Sequence, residues 1–473
     1  VKRAWPGLVV VVAWGCDPAR LPIDDPPTAV TASTAATATT GLGGTGHTGR
    51  PTGTTPADRF LAELGERGIT ADEGVVSWSA MEDCCVRGNC LLVNEGSDYG
   101  TWALPPSPGE YVEDREPDGQ GRTESWRLGV DEGALYVGPR PPGARYVSFR
   151  SYVHDRAGPE GGRVFSFANL GDTLNDRVFT ENDDGTVLVL TTAHAGLAER
   201  VRRAAAAVGW PEVGLDVVPS THVRLGVDAP ADTFHVTLRV VGFDDRSAFD
   251  AFRDGAGARV FKLRPTARQP ADPLPTPEER AAVPAPPAGT SAAVASLRQA
   301  VIGAHPGWQV VDAVVNPLEP PLDPSGDEPF CWAGCNRDVS YSTTAEAWLL
   351  PGDRLVVYGV DPVSLGRATW TEVMLAGLFE EDAAGHAGTD DLAGSARAWQ
   401  PTAPDGLYAF TFARDCAGIP HCQVVPTSCP GLSPLEPGSI LWRHYLDPAT
   451  DTWPPLAGLG ERGAMHLRPP PPG

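Results

Sequence analysis

Across residues 233–240 the chain alternates polar and apolar side chains without a break. Phe234, Val236, Leu238 and Val240 fall on one parity, and Thr233, His235, Thr237 and Arg239 on the other. Successive side chains of an extended strand point to opposite faces, so the pattern specifies an antiparallel strand with one face on a core. The apolar face of such a sheet must be covered by a second layer.

Shorter runs repeat the message. Residues 134–154 hold two apolar-rich runs separated by a Gly/Pro loop at 138–143. Asp184-Gly185 stands between 177–179 and 186–190, which predicts a hairpin. Residues 355–360 form another apolar run. Helical spacing is confined to 58–67 (Phe60, Leu61, Leu64), to 196–208 (Leu197, Val201, Ala204, Ala205, Val208) and to 291–302. With 53 Gly and 48 Pro among 473 residues, the expectation is a mainly β, α+β chain. It consists of two β-sandwich-like domains with a few helices, after a disordered N-terminal tether.

The boundaries follow from composition. Residues 1–15 read as a signal peptide, with Lys2-Arg3, an apolar run at 8–13 and then Trp14-Gly15-Cys16. Residues 16–56, rich in Thr, Ala, Gly and Pro, cannot bury enough apolar surface to offset chain entropy and read as a tether. A first domain spans 57–266, a Pro/Ala-rich linker 267–290 and a second, disulfide-containing domain 291–473. Cys90 shortly before Trp102-Ala103-Leu104-Pro105, and Cys335 shortly before Trp348-Leu349-Leu350-Pro351, suggest a diverged duplication.

Residues 12–16 resemble a bacterial lipoprotein lipobox, with Ala13 and Trp14 where that family has Leu and a small residue. The resemblance implies cleavage before Cys16 and lipidation of its sulfur, hence a cell-envelope location and membrane contact through the lipid anchor only. It leaves eight of nine cysteines: Cys84, Cys85, Cys90, Cys331, Cys335, Cys416, Cys422 and Cys429. An even number suits disulfides in an oxidising compartment, and no Cys-x-x-Cys spacing points to zinc. A net charge of −23 repels phosphate backbones and argues against nucleic acid. The run at 41–46 matches a dinucleotide fingerprint in letters alone, for no strand or helix flanks it, and no cofactor is expected.

The candidate binding face is Tyr146, Ser148, Arg150, Tyr152 and His154, alternate residues of one strand that combine a forked cation, aromatic area and a titratable ring. Asp172 and Asp176, with His154, are the acid–base candidates should the protein be a hydrolase. The segments 94–102, 144–152 and 174–175 are similar, in order, to secreted bacterial β-sandwich families of unknown function, which implies a sheet-rich fold and no chemistry. The functional expectation is an envelope lipoprotein that binds a ligand or partner, such as a glycan or an envelope protein. The alternatives are an envelope hydrolase acting on glycans or peptides, and a structural surface lipoprotein.

Overall fold

The computed structural model describes residues 55–79, 96–115, 117–158, 162–255, 257–282, 290–318, 336–378, 383–429 and 431–471. The signal segment, Cys16, all but the last two residues of the tether, and Cys84, Cys85, Cys90, Cys331 and Cys335 lie outside these residues.

The fold is mainly β. The first sandwich runs α1 (Pro56–Glu66), β1 (Ile69–Glu73), β2 (Val75–Ser79), β3 (Ser97–Ala103), β4 (Gly133–Pro139), β5 (Ala144–Ala157), β6 (Arg163–Asn169), β7 (Leu174–Asn175), β8 (Thr186–Thr192), α2 (Ala195–Ala207), β9 (Gly214–Val217), β10 (Thr233–Phe243), α3 (Arg246–Arg253) and β11 (Arg259–Pro265). The second runs α4 (Ser291–Gly303), β12 (Gln309–Ala313), β13 (Val315–Leu318), β14 (Val339–Thr344), β15 (Arg354–Val360), β16 (Trp370–Gly377), β17 (Ala383–Gly388), α5 (Thr389–Leu392), β18 (Leu407–Ala413), β19 (Cys422–Val424), β20 (Gly438–Tyr445) and β21 (Arg462–Arg468).

Two sheets of the first sandwich, β1-β11-β4-β8-β9 and β2-β3-β10-β5-β6, enclose a core that includes Trp102, Trp126, Phe149, Val236, Leu238 and Val240. The apolar parity of β10 points inward as its alternation requires. Helices α1 and α2 cover the outer face of the first sheet with Phe60, Leu64, Leu197 and Val201. Helix α1 starts at Pro56 because Thr55 and Asp58 form a reciprocal capping box around it.

The second sandwich repeats this plan in both five-stranded sheet orders, without a counterpart of the short β7 among the described residues. Its sheets are β12-β21-β15-β18-β19 and β13-β14-β20-β16-β17, and β18 pairs β19 in parallel as β8 pairs β9. The chain is therefore a duplication in topology. The Trp-Leu-Pro resemblance marks the wrong register, however: Trp102 lies within β3 and is fully buried, whereas Trp348 follows β14 and is 42% exposed. Better markers are polar. Tyr99 of β3 lies opposite Arg239 of β10, and Tyr341 of β14 opposite Arg443 of β20.

One expected element is absent. Residues 177–179 form no strand, and β8 pairs with β4 and β9 instead of closing a hairpin. The turn at Asp184-Gly185 is real, with Gly185 at φ +79° and the Thr186 amide on Asp184, but Phe179 is drawn into the core ahead of it.

The sheet holding β10 and β5 packs its outer face on the sheet holding β20 and β16, through Tyr146, Val241, Val339, Trp370, Tyr445 and Leu446. Gly242 permits the approach: it adopts φ +66°, and a Cβ there would stand 2.8 Å from the Trp370 ring. Asp338 is the polar centre of the junction, accepting from Tyr146 Oη at 2.8 Å, from Asn175 Nδ2 at 3.0 Å and from the Thr173 hydroxyl.

Candidate functional site

Strand β5 carries the sequence-derived binding face from one environment into another. Tyr146, Ser148 and Arg150 are buried, not solvent-facing, because the second sandwich covers them; Arg150 donates to Asn336 and lies 5.4 Å from the centroid of Tyr152. Tyr152 is also buried, against Phe167. His154, at the far end of the row, is half-buried and opens onto a cleft of about 850 Å³.

The cleft floor is the outer face of the sheet, supplied by Val75 and Ser77 of β2, Ala103 of β3, His235 of β10, and His154 and Asp155 of β5. Its wall is the connection from β3 to β4, through Asp114, Arg115, Pro117, Asp118, Arg122, Glu124 and Ser125. Most of the lining is polar, and the volume falls within the usual range for small-molecule pockets, roughly 300–1,000 Å³.

Two carboxylate-centred groups face this space. His154 Nδ1 lies 2.8 Å from Asp155 Oδ2, which also accepts from Thr233 Oγ1 at 2.6 Å, while Arg163 holds Oδ1. Burial alone would raise the Asp155 pKa, but the His154 and Thr233 hydrogen bonds and the charges of His154 and Arg163 outweigh it and bring it down to about 2. An ionised Asp155 can only accept, so Nδ1 of His154 carries a proton toward it and the ring is held in one orientation. The second group is Ser77 Oγ donating to Glu124 Oε1 at 2.6 Å. Asp114, Asp118 and Asp155 each ion-pair with arginine, whereas among the described residues Glu124 ion-pairs with no cation.

His235 stacks on His154 at 5.9 Å and reaches Thr237 Oγ1 at 2.9 Å. Burial, then the neighbouring His154 charge, push its pKa down to about 3, so the ring is neutral near pH 7. His235 and Arg239 do face away from the core, but they lie in the cleft and beside Tyr99 rather than on an open surface.

The wall is held by buried charge. Lys262 of β11, fully buried, donates to the Arg127 carbonyl, lies 3.9 Å from Glu110 and Glu132, and sits 4.9 Å from the Trp126 ring centroid. Glu110 accepts from Arg115 Nη1 and from the Arg127 amide, both at 2.7 Å. Burial raises the Glu110 pKa, yet Lys262, the Ser107 and Arg127 amides and Arg115 together hold it below the usual value. Arg127 grips Asp114 with both terminal nitrogens, at 2.6 and 3.1 Å.

Asp172 and Asp176 do not join His154 in the cleft. Asp172 receives Arg337 Nε at 2.7 Å and the Arg280 backbone, tying residues after 267 and the second sandwich to the first. Asp176 pairs with Arg140 at 2.8 Å, and burial raises its pKa despite Arg140. Cys416 and Cys422 are disulfide-bonded with Cα atoms 5.6 Å apart, and Cys429 is also disulfide-bonded. Among the described residues no group of three or more His, Cys, Asp or Glu is placed to hold a metal ion.

The sequence reading missed Ser77, Glu124 and the whole wall. The wall has no periodicity to flag it; its one sequence signal is the concentration of Asp, Glu and Arg between 110 and 132.

No family model matches the chain, and no curated protein matches it. Among solved structures it is similar to an uncharacterised protein from Burkholderia cenocepacia, with 13% identity, 87% of this chain and 88% of that chain covered, and a TM-score of 0.40. It is also similar to the tandem CBM22 domains at the N-terminus of Paenibacillus barcinonensis Xyn10C, with 10% identity, 85% and 94% covered, and a TM-score of 0.14.

Proposed function

We propose that this protein is an exported envelope lipoprotein that binds a small polar ligand in the cleft between His154 and Glu124. The supporting observation is that the cleft concentrates hydrogen-bonding groups whose geometry is already set. His154 is oriented by Asp155 and Glu124 by Ser77, and among the described residues Glu124 ion-pairs with no cation. A ligand meeting preset donors and acceptors loses less affinity to ordering of the protein.

Export is supported by the disulfide between Cys416 and Cys422, a bond that persists in oxidising compartments. Metabolic labelling with a fatty acid tests the anchor: label on the full chain that vanishes in Cys16→Ser is expected, and label retained in that variant contradicts it.

Binding is tested by calorimetric titration of a chemically diverse ligand panel against the full chain and against Glu124→Gln and His154→Ala. Each variant should weaken any hit by about tenfold or more, the equivalent of losing one charge-assisted hydrogen bond. Hits indifferent to both variants would place the binding elsewhere. Hydrolysis is the second reading, favoured by a histidine oriented by a carboxylate, His154 beside Asp155, at the cleft, and turnover of a bound glycan or peptide separates it from binding.

A further inference from the structure

We infer that the ligand of this cleft is a neutral carbohydrate, whose ring lies on Phe165 while its hydroxyls reach the groups around His154; this rests on the binding reading above. A stack of aromatic rings rises beside the cleft. Tyr152 is buried, Phe167 lies on it at 4.3 Å with the planes 10° apart, and Phe165 follows at 5.8 Å, again 10° apart. Phe165 ends the stack 42% exposed.

The stack exists because of a local irregularity. The pairing of β5 with β6 slips between Val153 and Asp155, so one extra residue of β6 opposes His154, and Phe167 takes φ +41°. A bulky side chain in that region is strained, and such bulges re-aim side chains at sites. Here the result puts Phe165 and Phe167 both edge-on to His154, at 5.1 and 6.3 Å. His154 is thus shared: its flank meets the aromatic stack and it also lines the polar cleft.

The geometry selects among ligand classes. The lining arginines Arg115 and Arg122 are committed to Glu110 and Asp118, and Asp114 and Asp155 are held by Arg127 and Arg163, so an anion meets the Glu124 carboxylate and no uncommitted arginine in the lining. A cation seeks several aromatic faces around it, but rings stacked in parallel leave only the terminal face of Phe165. A sugar ring matches what remains. Its C–H bonds suit the negative face of one ring, and its hydroxyls, which both donate and accept, can hydrogen-bond with Glu124 and with His154 Nε2.

The test is calorimetry of the full chain with cellotetraose, maltotetraose, xylotetraose and chitotetraose, beside spermidine and inorganic phosphate. Binding of at least one oligosaccharide is expected, weakened about tenfold by Phe165→Ala, restored by Phe165→Trp and weakened by Glu124→Gln. The Phe165 side chain is exposed, so loss without unfolding is readable by circular dichroism on the same samples. Oligosaccharide binding unchanged in Phe165→Ala overturns the inference. Binding of spermidine or phosphate alone, weakened by Glu124→Gln or His154→Ala, overturns the carbohydrate assignment while the cleft reading survives. No binding by any of the six probes overturns the inference as well, and the wider panel then judges the cleft on its own.

Discussion

The first and second sandwiches share strand order, sheet pairing and a helix on the outer face of one sheet, and the difference that bears on the cleft is one connection. In the first, residues 104–132 lead from β3 to β4; in the second, 345–353 make the same link. The longer link is the wall of the cleft. A duplicated scaffold has therefore kept its core twice and placed its candidate site where one copy carries an insertion, as expected when loops bear function and sheets bear stability.

The comparison extends to the buried charges. Lys262 of β11 lies opposite Ala134 and reaches Glu132, the residue before β4. His466 of β21 lies opposite Leu355 and reaches Asp353, the residue before β15, at 2.8 Å. Each sandwich thus sets a basic side chain against a carboxylate at the same corner. In the first, the pair has grown into a network with Glu110, Arg115, Arg127 and Asp114 that fastens the insertion.

Breaking that network should have the largest effect. Lys262→Met leaves Glu132 buried without its cation and Glu110 with Arg115 alone, and should cost about 3–5 kcal/mol in denaturant unfolding, whereas His466→Leu should cost about 1–3 kcal/mol. Equal losses would mean that the insertion draws no support from Lys262. Next, Gly242→Ala should cost about 1–3 kcal/mol by thermal unfolding, from its positive φ and its collision with Trp370 where the sandwiches meet. A neutral result would show that the junction yields freely.

The pH dependence sharpens the contrast. The folded Asp155 carboxyl titrates near 2 against an unfolded value of about 3.9, so the stability it adds is full above about pH 4 and is lost as pH falls toward 2. Asp155→Asn should remove about 2 kcal/mol at pH 7 and flatten that acid limb. His235 and His444, one in each sandwich, are both held neutral by burial, which lowers their pKa. Their contribution is full above about pH 6.5 and declines on acidification, so this upper limb should shrink with either His235→Asn or His444→Asn. The smallest effect is expected from Glu124→Gln, within about 0.5 kcal/mol in stability, because its role is toward a ligand.

Much of the fold was legible because period and parity are local. The faces of β10, the run at β15, and helices α1, α2 and α4 follow from spacing alone. Helix α3 was overlooked although Asp245 caps it and Phe249 and Phe252 share a face. The face of β5 was read correctly as a face and wrongly as open, since alternation records which side leaves the core but not what later packs upon it. Tyr146 and Arg150 are covered by residues nearly two hundred positions downstream, beyond any local pattern. Only His154 of that row reaches the cleft, and its partners Ser77, Glu124 and His235 come from three separated segments.

The most direct test of the account is hydrogen–deuterium exchange on the full chain with and without whichever ligand binds. The expected result is added protection confined to residues 75–77, 112–125, 153–156 and 163–167, with the second sandwich unchanged. Protection centred on 345–353, or spread evenly over both sandwiches, would contradict the assignment of binding to the inserted wall.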